Sequence, residues 1–137
     1  MNSERVFVDT SGFYALLKKD DAHHKAAVNL MKKAAAAAQG FVTTDYILDE
    51  TATLLVARGA AHLAVSLFEL IESSRSIGIE FMDEDRFAQT KAFFSKHSDQ
   101  GFSFTDCFSF VLMKELKLKK ALTTDEHFRI AKFEPLL

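Results

Sequence analysis

The chain has 137 residues, enough for one domain with its own apolar core. It is 48% hydrophobic and 26% charged, with only 5 Gly and 1 Pro, which excludes collagen-like, linker-like and disordered chains. The net charge of −2 excludes a histone-like nucleic-acid coat, though not an enzyme with a local basic rim, and the single Cys107 excludes an intramolecular disulfide or a multi-cysteine zinc site.

In chain order, Arg5–Val8 is a short apolar run ending at Asp9 and reads as a buried strand. A short helix is predicted over Ser11–Leu17. Asp20-Asp21 offers an N-cap for a helix from Ala22 to Ala38, and Gly40 stops it. The run Ala34–Ala38 is strong helix former rather than low-complexity disorder. Phe41–Thr44 reads as a second strand, followed by a helix over Tyr46–Ala57. Gly59 breaks that helix, and another runs to Ser73. Ile77–Met82 reads as a third strand. Asp83 or Asp85 caps a helix ending near His97, and Asp99–Gly101 forms a loop. Ser103 or Thr105 opens a helix to Leu116. Ala121–Thr124 is a fourth strand, a short helix starts near Asp125, and Phe133–Leu137 forms either an edge strand or irregular structure.

Strands separated by helices predict an α/β protein: three layers, α/β/α, around a four- to five-stranded parallel sheet in one domain over 1–137. In such sheets ligands bind beyond the carboxyl ends of the strands. Asp9, Asp45 and Asp125 stand at strand ends, Asp106 begins a helix opening toward the same edge, and Glu50 lies one turn into the helix after the second strand. Converging carboxylates repel, and a cation relieves the repulsion. Oxygen-only donors select hard ions such as Mg²⁺ or Mn²⁺, which polarise phosphoryl oxygens and make water nucleophilic near neutral pH. That chemistry suits phosphodiester hydrolysis. The same residue types at the same places also serve as helix caps or complement a helix dipole.

Four motifs in order resemble the PIN-domain ribonucleases, particularly the VapC-type toxins of toxin–antitoxin pairs. They are Val6-Phe7-Val8-Asp9-Thr10-Ser11, the stretch Thr43–Thr51 containing Glu50, Phe104-Thr105-Asp106, and Thr123-Thr124-Asp125-Glu126-His127-Phe128. The resemblance covers nearly the whole chain. It implies a PIN-like fold and an Mg²⁺- or Mn²⁺-dependent endoribonuclease with Asp9, Glu50, Asp106 and Asp125 as the catalytic metal ligands. Thr10, Ser11, Thr105 and Thr124 would support the ligands or contact substrate. Periodicity alone does not separate Asp49 from Glu50, since both flank the apolar arc of Ile47, Leu48, Leu54 and Leu55. The resemblance selects Glu50, leaving Asp45 as an N-cap and Asp49 and Glu126 as supporting or exposed charges. It further implies an RNA substrate, an antitoxin partner and a homodimer.

His23-His24 reads as a capped helix start rather than a metal cluster. His127 is open between substrate contact and packing, and Cys107 reads as a buried, inert thiol. Most of the 14 phenylalanines are expected in the core, with some available for an apolar dimer or antitoxin face. Lys18, Lys19, Lys25 and Arg58 are candidates for a basic rim, as well as ordinary surface charges. P-loop, dinucleotide-binding and serine-hydrolase motifs are absent from the sequence. No long uncharged apolar stretch reads as a membrane span, and Met1–Arg5 lacks leader features, so a cytoplasmic location is expected. The competing functions are a PIN nuclease outside a toxin–antitoxin system, a receiver-type signalling domain using acidic residues and Mg²⁺, and a catalytically idle binding module.

Overall fold

The computed structural model describes residues 4–137; the reading of Met1–Ser3 as lacking leader features lies outside them. β1 (Val6–Val8) is buried along its whole length, as its unbroken apolar run requires when both faces are covered. α1 (Thr10–Leu17) and α2 (His24–Ala36) carry the chain to β2 (Phe41–Thr44). α3 (Asp45–Ala57) and α4 (Ala61–Ser73) lead to β3 (Ile77–Glu80). α5 (Glu84–Lys96) and α6 (Phe104–Glu115) then return it to β4 (Lys120–Leu122), and α7 (Glu126–Ile130) precedes a two-residue edge strand, β5 (Glu134–Pro135).

The sheet order is β3-β2-β1-β4-β5 and every pair is parallel. The first two crossovers move outward on one side of β1, and the third crosses back to its other side. Right-handed crossovers therefore put α1–α4 on one face and α5–α7 on the other. The packing agrees: α1 contacts α2, α3 and α4, while α5 packs on α6. This is the three-layer α/β/α architecture expected from the sequence, with five strands. A receiver-type sheet runs 2-1-3-4-5, so the strand order removes that alternative.

The phenylalanines largely fill the layer under α5–α7. Phe110 is fully buried, with the rings of Phe102, Phe128, Phe133 and Phe93 centred 5.0, 5.0, 5.7 and 6.1 Å away. On the other layer, Gly12 permits a backbone approach that no side chain allows. A Cβ there would lie 2.2 Å from the Leu122 carbonyl oxygen. The first turn of α1 thus sits directly on the end of β4, which brings the residues after β1 and β4 together.

Several local expectations are corrected. Thr44, not Asp45, caps α3, its hydroxyl accepting from Ile47 N–H. Asp45 is the first helical residue, and its carboxylate instead accepts from Met82 N–H, tying α3 to the end of β3. α2 begins at His24 rather than Ala22, because Asp21 accepts from the His23 N–H in a preceding turn. α2 also ends before Gly40. Ala38 takes the left-handed conformation (φ 53°), and Gln39 N–H bonds back to Ala34. β3 stops at Glu80, where Arg86 claims the chain by donating to Glu80, Glu115 and the Phe81 carbonyl. β4 covers Lys120–Leu122, leaving Thr123 and Thr124 outside the sheet. Asp83 caps α5 and Ser103 caps α6, resolving those two choices.

Candidate active site

The sheet reverses its order between β1 and β4, and the crevice beyond their carboxyl ends is where such sheets bind ligands. Asp9 follows β1. It is the N-cap of α1 by position, yet its side chain makes no capping bond. Thr123, just past β4, donates its hydroxyl to Asp9 Oδ2 at 2.8 Å and accepts from Asp125 N–H at 3.0 Å. Ser11 lies 3.0 Å from the Thr123 hydroxyl and accepts from Thr124 N–H at 2.9 Å. One hydroxyl network therefore fixes Asp9 against the Asp125 segment.

Asp9 is only 5% exposed. Burial pushes its carboxyl up from 3.8 to about 7, against the lowering effect of the Thr123 hydrogen bond, and the charges of Asp106 and Asp125 push the same way. Asp106 enters on the first turn of α6. Its Oδ2 accepts from Ser103 N–H at 3.2 Å, closing a capping box, and lies 3.0 Å from His127 Nδ1. Asp125 Oδ1 accepts from His127 N–H at 2.9 Å and lies 3.6 Å from the same imidazole nitrogen. Ligand-type atoms of Asp106, Asp125 and His127 all fall within 4.8 Å of one another.

The capping reading is thus right for Asp106 and Asp125 and wrong for Asp9. Capping engages one oxygen of each, Oδ2 of Asp106 and Oδ1 of Asp125. Among the described residues the other oxygens accept no hydrogen bond.

Glu50 is an exposed residue of α3. Thr10 donates to Glu50 Oε1 at 2.6 Å, so the side chain is held beside the residue that follows Asp9. Of the two neighbours that periodicity left open, Glu50 is the one that accepts from Thr10. Thr105 bonds through its carbonyl, which accepts from Ser109, and Thr124 through its N–H. Neither side chain touches an acidic residue among the described residues.

Thr123 and His127 carry more of the site than sequence reasoning assigned. The signal for Thr123 was its place directly after the last apolar residue of β4. Of the two roles open for His127, packing is present, edge-on to Phe102 with ring centroids 5.3 Å apart, and its Nδ1 also lies 3.0 Å from Asp106 Oδ2. His23-His24 form no such centre; His24 Nδ1 pairs with the Ala15 carbonyl. Cys107 is buried, and burial beside Asp106 raises its thiol to about 11, which makes it inert.

The grouped Asp106, Asp125 and His127 offer two carboxylates and an imidazole that could hold a metal ion. The PIN domain family model matches residues 6–134. The chain belongs to the PIN-domain family. It is 31% identical over 128 residues to the 23S rRNA-specific endonuclease VapC20 of Mycobacterium tuberculosis, covering 93% of this chain and 95% of that protein. It is 32% identical over 129 residues to a VapC ribonuclease of Archaeoglobus fulgidus, covering 91% and 80%. The crystal structure of M. tuberculosis VapC20, described as a sarcin–ricin loop cleaving toxin, superposes with a TM-score of 0.81 at 30% identity over 93% of this chain and 95% of that one. Within the PIN-domain family the chain is thus a VapC-type ribonuclease. No helix among the described residues is long and apolar enough to cross a membrane.

Proposed function

We propose that the chain is a single-domain endoribonuclease toxin in which Asp9, Glu50, Asp106 and Asp125 hold Mg²⁺ or Mn²⁺ and direct hydrolysis of an RNA phosphodiester. The observation that carries this reading is the placing of Asp9 near Asp106 and Asp125: burial raises Asp9 to about 7, and the charges of Asp106 and Asp125 add to that rise. Such repulsion is costly unless a cation joins the site. A bound Mg²⁺ or Mn²⁺ supplies Lewis-acid polarisation of a phosphoryl oxygen and lowers the pKa of water.

The chain's own residues do the positioning. Thr123 and Ser11 fix the Asp9 carboxylate, leaving little freedom to be lost when the substrate complex forms. His127 and the Ser103 N–H hold Asp106 Oδ2, which leaves Oδ1 as the donor facing the crevice. With Nδ1 engaged by Asp106, His127 serves as a support rather than as a ligand through that nitrogen. Thr10 does the same for Glu50. Thr105 and Thr124 stand beside the ligands as substrate-side groups.

The substrate class follows the relatives: structured RNA, with 23S ribosomal RNA and its sarcin–ricin loop the first to try. An RNA target places the action in the cytoplasm. A VapB-type antitoxin and a second copy of the chain are the proposed partners. Exposed Val56, Val65 and Phe68 on α3 and α4 support a protein-binding face there.

The test is cleavage of ribosomal RNA by wild type and Asp106→Asn, each with Mg²⁺, Mn²⁺ or EDTA, alongside calorimetric titration of the metal. Metal binding and EDTA-sensitive cleavage, both lost in the variant, are the expected result. Cleavage that survives EDTA, or survives Asp106→Asn, overturns the assignment.

A further inference from the structure

Beside the acidic crevice lies a second, polar cleft of about 260 Å³, lined by Thr10, Ser11, Tyr14, Asp21, Arg58 and Thr124, among others. Its size lies below the roughly 300–1,000 Å³ of pockets for drug-sized ligands, so it suits one compact group. It shares a wall with the acidic site, since Thr10 bonds Glu50 and Ser11 bonds Asp9 and Thr124.

Among its lining residues is a cation, Arg58. The Arg58 guanidinium lies over the Tyr14 ring, 5.0 Å from its centroid. That contact preorganises a long side chain without neutralising it. Among the described residues Arg58 forms no ion pair, whereas Lys18 is paired with Asp20 and Arg86 with Glu80 and Glu115. Asp21 lines the same cleft and is not ion-paired with Arg58, so an anionic group there is attracted by Arg58 and opposed by Asp21. Position at the C-terminal end of α3 explains a cation there through the helix dipole, but not why its side chain is laid across Tyr14 at the mouth of a cleft.

We propose that this cleft binds one nucleotide of the RNA strand adjoining the scissile phosphate, with Arg58 on a backbone phosphate oxygen and Tyr14 positioning Arg58. The proposal rests on the reading of the acidic crevice as the RNA-cleaving centre. A planar guanidinium donates two parallel hydrogen bonds to a phosphate, which fixes register along the strand as well as adding affinity. Thr124 is exposed, and its hydroxyl has no partner among the described residues, so it is free to bond a ribose or phosphate oxygen.

The experiment measures binding of a short, fluorescently labelled, mixed-sequence single-stranded RNA by anisotropy with Mn²⁺ present. All proteins carry Asp106→Asn so that the RNA stays intact. Arg58→Ala is compared with Lys91→Ala, a loss of the same charge on α5 outside the cleft. The expected result is a loss of affinity of about tenfold or more for Arg58→Ala, with Lys91→Ala within about twofold of the parent. The slope of log affinity against log salt falls by about 0.7 for Arg58→Ala. Tyr14→Phe, which keeps the ring, binds like the parent, and Tyr14→Leu does not. Thermal melts establish that each variant is folded.

Equal losses for Arg58→Ala and Lys91→Ala, or none for Arg58→Ala, overturn the inference. If wild type without Asp106→Asn still cleaves RNA with Mn²⁺ in that case, the reading of the acidic crevice stands and the cleft alone is wrong. If the parent binds no RNA and wild type cleaves none, both fall.

Discussion

The Thr123 hydroxyl donates to Asp9 Oδ2 at 2.8 Å across the junction of β1 and β4. The same oxygen atom accepts from Asp125 N–H, so one side chain couples the acidic residue after the first strand to the acidic residue after the fourth. Replacing it with the near-isosteric Val takes the 2.8 Å donor from the buried Asp9 carboxylate and leaves the part-buried Asp125 N–H without its acceptor. Thr123→Val is expected to lower stability by about 1–3 kcal/mol in urea melts and to cut RNA cleavage strongly. Thr123→Ser, which keeps the hydroxyl, is expected to recover most of both. A Val variant as active as wild type removes this network from the mechanism.

Asp9 gives a pH-dependent prediction with a definite sign. Its carboxyl is raised from 3.8 to about 7, so the ionised form is penalised in the folded state relative to the unfolded one. The penalty is absent below about pH 4, grows as pH rises toward 7, and is constant above. Its ceiling is about 4 kcal/mol, from the rise to about 7. In EDTA, Asp9→Asn is therefore expected to be more stable than wild type at pH 8 and to lose that advantage at pH 4. Mn²⁺ should raise the melting temperature of wild type and leave that of the variant almost unmoved. A variant less stable than wild type at pH 8 contradicts the account of the crowded carboxylates.

Glu50 and Asp49 are neighbours with the same charge, but only Glu50 is bonded to Thr10, at 2.6 Å. Glu50→Gln is expected to abolish metal-dependent cleavage, and Asp49→Asn to leave it within about twofold, as exposed surface substitutions away from a site usually do. The comparison uses one RNA and one metal concentration near the midpoint of the wild-type titration. The reverse order of effects would reassign the ligand.

Gly12 tests the geometry that brings the two strand ends together. An added methyl would lie 2.2 Å from the Leu122 carbonyl oxygen, an atom of backbone that cannot swing aside. Gly12→Ala is expected to cost about 1–3 kcal/mol or more and to weaken metal binding, because α1 must lift from the end of β4. Calorimetric melting and Mn²⁺ titration of the same sample check both parts. Unchanged stability would mean that the close approach is not needed.

The strand-and-helix alternation was legible because the central strands open on short apolar runs and the longer segments between them suit helices. Boundaries were less legible where two residues compete for one role. Thr-Thr-Asp occurs at 43–45 and again at 123–125, and the two copies do different work. In the first, Thr43 and Thr44 complete β2, Thr44 caps α3 and Asp45 bonds β3. In the second, β4 ends at Leu122, so Thr123 turns toward Asp9 and Asp125 becomes the cap of α7. The difference comes from where each strand's pairing stops, which depends on its neighbours in the sheet and not on the tripeptide.

The sequence by itself determined the alternating α/β class, the apolar strands that form the sheet, the ordered set of acidic residues at strand and helix ends, and through them the family. Those properties are local, set by side-chain period, by capping chemistry and by the order of residues along one chain. Tertiary structure alone decided that β1 and β4 lie side by side, that Thr10 bonds Glu50, that Thr123 and His127 brace the acidic residues, and that Arg58 rests on Tyr14 beside them. Each of these joins residues far apart in sequence, from 21 positions for His127 and Asp106 to 114 for Thr123 and Asp9. Such distances close only when the right-handed crossovers and the strand order are fixed, and no periodicity within a single element encodes them.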